Sequence, residues 1–350
     1  MRIAQIAPLA EAVPPKLYGG TERVVSYLTE ELVALGHEVT LFASGDSVTA
    51  ARLEAIWPRA LRLDPDIRDP NALQVLLMET VRRRADEFDV LHFHVDYWSF
   101  GLFSRQRTPF VTTLHGRLDL PELQPVYDAF PHAPVVSISD AQRRPLPQAS
   151  WVGTVHHGLP ERLLAPGDGR PGYLAFLGRI AAEKRPDRAI RIARACGIPL
   201  RIAAKVDKAD QAYFDEVIRP MLDGGGVEMV GEIGEGQKAE FLGGALGLLM
   251  PVDWPEPFGL VMIEAMACGT PVVAYGHGSV PEVVEDGLTG FIVHDEEGAA
   301  RAVRRLGELD RAGVRRRFEE RFTARRMAQD YVALYQGLAG EHRQVLRASR

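Results

Sequence analysis

The chain has 350 residues, more than one domain usually holds, and its 46% hydrophobic and 25% charged residues exclude long disordered tracts. The formal net charge of -6 excludes a global positive field for nucleic acid or an anionic membrane, so any such contact has to be local. Two cysteines, Cys196 and Cys268, are too few for a disulfide framework or a cysteine zinc site. With no signal-like start and no run of about 18 apolar residues, a soluble cytoplasmic protein is expected.

Arg2 to Ala7 reads as a strand, a Pro/Gly loop follows to Gly20, and Thr21 opens a helix with Val24, Val25, Leu28, Leu32 and Leu35 on one side, ended by Gly36. Further strands are expected at His37 to Ala43, Val90 to Val95, Phe110 to Leu114 and Val135 to Ser139. The stretch His156 to Gly172, rich in Gly and Pro, reads as a linker. A second series then begins: strands at Tyr173 to Leu177, Leu200 to Ala204, Val227 to Val230, Leu246 to Pro251, Pro271 to Tyr275 and Phe291 to Val293, with helices near Pro186 to Cys196, Gln211 to Leu222 and Leu260 to Cys268. This alternation predicts an α/β protein made of two doubly wound parallel-sheet domains facing a central cleft. The tail from Arg311 to Ala339 reads as a helix whose arginines (Arg315, Arg316, Arg317, Arg321, Arg325, Arg326) form a solvated face interleaved with Glu319 and Glu320.

The segment DWPEPFGLVMIEAMACGTPVVA carries the most chemistry. Pro255, Pro257 and Gly259 forbid regular helix before Leu260, so a loop feeds a helix N-terminus where the amides of Phe258, Gly259 and Leu260 can face a ligand oxygen. Glu264 is the only charge from Leu260 to Gly269 and needs donors, which sugar hydroxyls, the helix dipole or an arginine can supply. Glu256 lies eight positions earlier, at the mouth of the same helix. Arg179 and Lys184 follow the first strand of the second series and read either as a phosphate-binding pair or as two surface cations. Gly19 and Gly20 precede the first helix, where they allow either close backbone approach or a plain turn; His115 ends a strand and is either structural or a site residue. His92, His94 and Asp96 share a strand face and would suit a metal-dependent hydrolase, whereas the DxD of Asp64 and Asp66 lies in the polar stretch DPDIRDPN and reads as a loop.

Together YGGTERVV, TTLHG, FLGRIAAEK and EPFGLVMIEAMACGTPVVA resemble the retaining glycosyltransferases of family 4, which have the GT-B fold, and the last segment matches that family's E-x7-E element through Glu256 and Glu264. The resemblance implies a hexosyltransferase with residues 1–160 as the acceptor-side domain, 161–323 as the nucleotide-sugar domain, and 324–350 as a helix returning to the first. It implies that Arg179 and Lys184 hold the donor diphosphate, that Glu264 bonds the ribose hydroxyls, and that Glu256 with Phe258, Gly259 and Leu260 grips the transferred sugar. It further implies His115 near sugar and acceptor, Gly19 and Gly20 near the phosphates, and Val230 and Gly231 presenting backbone to the base. The donor implied is a nucleotide diphosphate sugar, with uridine favoured; the acceptor is a sugar, glycan or small-molecule hydroxyl, bound near Arg117 to Tyr127. No metal or other cofactor is expected, no nucleic acid partner is expected, and nothing indicates membrane contact. A nucleotide-sugar epimerase or sugar phosphorylase of the same architecture, the metal hydrolase and a noncatalytic binding module are the competing readings.

Overall fold

A strand joined to its neighbour by a crossover has to pair in parallel, and a strand covered by helices on both faces has to be apolar on both. The computed structural model, which describes residues 1–16 and 19–348 and so leaves Tyr18 outside, contains two sheets built this way. By its internal contacts the chain forms two units, one of Met1–Pro160 with the residues from Ala324 onward, the other of Glu161–Thr323.

The first unit holds β1 (Arg2–Ile6), β2 (Glu38–Ser44), β3 (Arg52–Trp57), β4 (Val90–Phe93), β5 (Phe110–Thr113), β6 (Pro134–Ser137) and β7 (Ser150–Thr154). They lie in the order β3-β2-β1-β4-β5-β6-β7. The second holds β8 (Tyr173–Arg179), β9 (Leu200–Lys205), β10 (Val227–Gly231), β11 (Ala245–Met250), β12 (Val272–Tyr275) and β13 (Gly290–Val293), in the order β10-β9-β8-β11-β12-β13. Every recorded pairing among these strands is parallel. Each unit has its own core, the first around Phe42, Phe93, Phe100, Phe103 and Tyr127, the second around Phe176, Ile190, Ile202, Leu249 and Phe291. Among the described residues no helix is long and apolar enough to cross a membrane.

Two strands escape a search for apolar runs. β3 (RLEAIW) and β7 (SWVGT) are edge strands with mostly half-exposed or exposed residues, so nothing forces a continuous apolar pattern on them. The polar stretch DPDIRDPN is not wholly loop: the Asp69 side chain accepts from the amides of Asn71 and Ala72, and Pro70 opens the helix Pro70–Arg83. Asp64 and Asp66 remain in the turn before it, with Asp64 accepting from the Trp57 indole at 3.0 Å. The helix expected near Gln211 to Leu222 contains a π-helical turn at Phe214–Ile218, just before Pro220, which has no amide hydrogen to donate.

The basic tail also differs from its sequence reading. It is two helices, Arg311–Arg321 and Ala324–Ala348, and much of its charge is a set of clamps. Arg315 donates to the carbonyls of Glu161, Leu164 and Ala267, while Arg317 and Arg321 share Glu285. Arg311 donates to the carbonyls of Gly167, Gly243 and Ala245 and to the Thr270 hydroxyl. The stretch read as a linker is thereby fixed: Leu159 and Leu164 are buried, and Gly167 lies against the Gly243 backbone.

Gly290 at the start of β13 pairs with Val272, and a Cβ there would sit 2.0 Å from the Val272 carbonyl oxygen. Backbone cannot yield as a side-chain end does, so Gly290→Ala is expected to cost about 3 kcal/mol or more in chemical denaturation.

The first core contains a polar seam. Gln5, His92, Thr113 and Tyr335 are fully buried, and His94 and His157 nearly so. His92 meets the Tyr335 hydroxyl through Nδ1 at 2.6 Å and Thr113 Oγ1 through Nε2 at 2.7 Å; His94 meets Gln5 Oε1 through Nε2 at 2.8 Å and His115 through Nδ1 at 2.9 Å. Both nitrogens of each ring are therefore taken by protein partners, which removes the metal-ligand reading of His92, His94 and Asp96. Asp96 is exposed beyond β4, and among the described residues no three His, Cys, Asp or Glu side chains gather to hold a metal ion.

Burial, reinforced by neighbouring rings, holds His92, His94 and His157 well below the ordinary value of 6.5. Well above pH 6.5 folded and unfolded rings are both neutral and contribute nothing to the pH dependence. Below it the unfolded rings bind protons that the folded ones refuse, so stability falls as pH falls, by up to about 1.4 kcal/mol per pH unit for each ring. Denaturation midpoints between pH 7.5 and 5.5 are expected to show this decline and to lose part of it in His157→Phe.

Candidate functional site

In a parallel sheet all carboxyl ends lie along one edge, and a crevice opens where the strand order reverses. In the second unit that point lies between β8 and β11, because β9 and β10 extend to one side and β12 and β13 to the other. The end of β8 carries Arg179, and the loops leaving β8 and β11 carry Lys184 and Glu256.

Arg179 ends β8 and faces three carboxylates: Glu183 at 2.9 Å, Asp210 at 3.3 Å and Asp207 at 3.6 Å. Lys184 closes the single 3-10 turn Ala182–Lys184, and Arg185 after it adopts a left-handed backbone (φ 55) that redirects the chain into the helix Pro186–Cys196. Arg185 holds that bend by gripping Asp187 at 2.8 Å and Asp253 at 2.9 Å. Arg188 also binds Asp253, and the Asp253 amide donates to the Glu183 carbonyl at 2.9 Å, so the two loops are stitched together.

That stitching brings Lys184 onto Glu256. The ammonium donates to Glu256 Oε2 and lies 4.8 Å from the Trp254 ring centre, while the Trp254 indole donates to the same carboxylate oxygen at 2.9 Å. Glu256 is buried, as is Phe258, whose carbonyl accepts from Ser279 Oγ at 2.8 Å. Gly259 then takes a left-handed conformation (φ 76) in a space so tight that a Cβ would fall 2.9 Å from both Met250 Cε and Met262 Cε. The helix Leu260–Ala267 starts there; the Met262 amide donates to the Gly259 carbonyl at 3.0 Å, and the amides of Leu260 and Val261 precede any acceptor within the helix, the local chemistry of an anion site.

Glu264 is buried in that helix, and its donor is neither of the protein partners the sequence suggested. Lys238, on the helix Glu235–Gly243, donates to Glu264 Oε1 at 2.6 Å and reaches Glu235 at 3.4 Å. Val230 and Gly231 end β10 at the same sheet edge, with a register shift against β9. In the first unit, Gly19 precedes the helix Gly20–Ala34 after β1, and His115 follows β5. Unit two thus joins Lys184 to Glu256 directly and leaves Arg179 and Glu264 on partners of their own.

Four participants escape the sequence reading: Trp254, Asp253, Arg185 and Lys238. Asp253 and Trp254 adjoin Glu256 and were open to notice; Lys238 lies far away in the chain and only packing reveals it. Removing one partner of a buried ion pair strands the other. Lys238→Met is expected to destabilise the protein by about 3–5 kcal/mol, and adding Glu264→Gln to recover most of that loss in thermal denaturation.

Two family models match the chain, one described as glycosyl transferases group 1 over residues 166–325 and one as Glycosyltransferase Family 4 over residues 18–151. A D-inositol 3-phosphate glycosyltransferase of Mycolicibacterium gilvum is 26% identical over 352 aligned positions, covering 83% of this chain and 77% of that one. The same-named protein of Mycobacterium tuberculosis (strain H37Ra) is 32% identical over 202, covering 51% and 40%. Among solved structures, AviGT4, a glycosyltransferase involved in avilamycin A biosynthesis, superposes with a TM-score of 0.74 at 26% identity, covering 97% of this chain and 98% of that one. Anabaena HepE in complex with UDP shares the fold, with a TM-score of 0.74 at 19% identity over 96% and 100% of the two chains. With one family model on each parallel-sheet unit, the chain belongs to the family 4 glycosyltransferases, enzymes of GT-B fold.

Proposed function

We propose that this enzyme moves a hexosyl group from a uridine diphosphate sugar to an acceptor hydroxyl with retention of anomeric configuration, without a metal ion, in the cytoplasm. The observation that carries the reading is the Lys184–Glu256 contact at the crevice between β8 and β11, beside the N-terminus of the helix Leu260–Ala267. HepE was crystallised with UDP, which supports the choice of nucleotide. The two cysteines are free, which suits a reducing compartment.

Breaking an anomeric bond builds negative charge on the departing diphosphate and positive charge on the sugar ring. The catalyst's main task is to stabilise both. Each cation is already matched within the protein: Lys184 by Glu256, and Arg179 by Glu183, Asp207 and Asp210. A diphosphate entering the crevice competes for the two cations. When Lys184 turns to the phosphate, Glu256 is released to accept sugar hydroxyls, with the Trp254 indole still holding it in place. The exchange favours a ligand carrying an anion and hydroxyls together, because either part alone leaves one buried charge unmatched. Glu264, oriented by Lys238 through Oε1, keeps Oε2 for ribose hydroxyls, and Val230 with Gly231 offers backbone to the base. Front-face attack needs no protein nucleophile: the acceptor oxygen bonds the anomeric carbon as the phosphate oxygen departs and takes the acceptor proton.

Incubation with a panel of nucleotide sugars tests the reading. Uridine diphosphate sugars are expected to raise the melting temperature most, to undergo at most slow hydrolysis without acceptor, and never to return an epimerised donor. Activity is expected to survive a chelator, and the product to keep the donor's anomeric configuration by NMR. Lys184→Ala and Glu256→Ala are each expected to lower turnover by about tenfold or more with the far-ultraviolet circular dichroism unchanged. Full turnover in both would remove them from the site.

A further inference from the structure

A doubly wound sheet takes ligands at the carboxyl ends of its strands, where the strand order reverses. The first unit has such a point of its own between β1 and β4. β4 leaves it through Val95 into the single 3-10 turn Asp96–Ser99. Three consecutive side chains there, Asp96, Tyr97 and Trp98, are exposed, the two rings at 42% and 41%, whereas Ser99 and Phe100 are buried and anchor the turn.

Asp96 and Arg185 are the two non-glycine residues, among those described, with a left-handed backbone, Asp96 at φ 49. Arg185 is held in that conformation by Asp187 and Asp253, but Asp96, among the described residues, has no hydrogen bond and no cation against it. Backbone strain of this kind collects at ligand sites. Carboxylates on neighbouring loops have protein cations: Glu11 has Arg62 at 2.8 Å and Asp119 has Arg117 at 2.7 Å. The protein around Asp96 nevertheless takes water from its carboxyl and raises its pKa above the ordinary value of 3.8. Burial and then the Asp96 charge push the Tyr127 phenol up in turn.

The rings beside this carboxylate are equally open. The indoles of Trp57, Trp151 and Trp254 donate to Asp64, to the Leu146 carbonyl and to Glu256, and cations lie over two of them, Arg143 over Trp151 and Lys184 over Trp254. Trp98 is the fourth tryptophan, and among the described residues its side chain meets neither an acceptor nor a cation. An ammonium group would satisfy carboxylate and rings together, by opposite charge and by the negative faces of the aromatic systems. A phosphate there would be repelled, and a neutral hydroxyl would leave the carboxylate charge unmatched.

We propose that the acceptor carries an ammonium group, bound by the Asp96 carboxylate and the ring faces of Tyr97 and Trp98, while a hydroxyl of the same molecule receives the sugar. This rests on the reading of the chain as a sugar transferase, which needs a second substrate besides the nucleotide sugar.

Three hexoses that differ at carbon 6 alone test it: 6-amino-6-deoxyglucose, glucose and glucose 6-phosphate. Each is titrated into the full chain at pH 7 by saturation-transfer NMR, with saturating uridine diphosphate present to occupy the second unit. The amino sugar is expected to bind about tenfold more tightly than glucose, and the phosphate more weakly than glucose. Asp96→Asn keeps a residue type that tolerates the left-handed turn and is expected to abolish the preference for the amine. Trp98→Leu is expected to weaken binding of the amino sugar by about threefold or more. Both variants are expected to bind uridine diphosphate as the parent does. No binding of the amino sugar, equal binding of all three, tighter binding of the phosphate, or a preference that survives Asp96→Asn overturns the assignment. Failure of the parent chain to bind uridine diphosphate counts instead against the sugar-transfer reading, so the two failures are told apart.

Discussion

Parallel pairing is the constraint from which the rest follows. It sends every carboxyl end of a sheet to one edge, and because both sheets are doubly wound the strand order reverses once in each unit, between β1 and β4 and between β8 and β11. The candidate site residues lie at the ends of those strands, on the loops leaving them or on the helices that such loops enter, and a rigid sheet fixes where they start. Little slack remains in the frame. Gly290 against Val272 and Gly167 against Gly243 are backbone contacts that admit no side chain, and Arg311 and Arg315 donate to backbone carbonyls far from them in the chain.

The two units solve the burial of polar groups in opposite ways. In the second, buried carboxylates are matched by cations: Glu256 by Lys184 and Glu264 by Lys238. Under the proposed function a ligand there exchanges partners with these pairs, and recognition becomes a test of whether it can satisfy both halves. In the first, the seam from Gln5 to Tyr331 is made of neutral groups, each donor facing an acceptor, and its fixed element is the direction of the hydrogen bonds.

Tryptophan and tyrosine supply the rigid parts of both. Trp254 places its ring beside Lys184 and its indole hydrogen on Glu256, so one side chain orients both members of the pair. Tyr331 and Tyr335 come from the helix Ala324–Ala348, far along the chain from the strands they serve, and join that helix to the core of the first unit.

The sequence by itself determined the alternation of strand and helix, the parallel class of both sheets, and the loop that feeds the helix at Leu260, because apolar runs, prolines and glycines act over a few residues. It also singled out Glu256, Glu264, Arg179 and Lys184, since an acidic side chain in an apolar helix and cations after a strand are conspicuous where they stand. Only the tertiary structure decided how those charges pair. Lys238 meets Glu264, Arg185 meets Asp253, and arginines of the tail read as a solvated face are clamps on distant carbonyls and on Glu285, because ion pairing depends on distance in space. The same holds for His92 and His94: a two-residue repeat places them on one face, but whether that face meets a metal or a glutamine and two tyrosines is set by what packs across it.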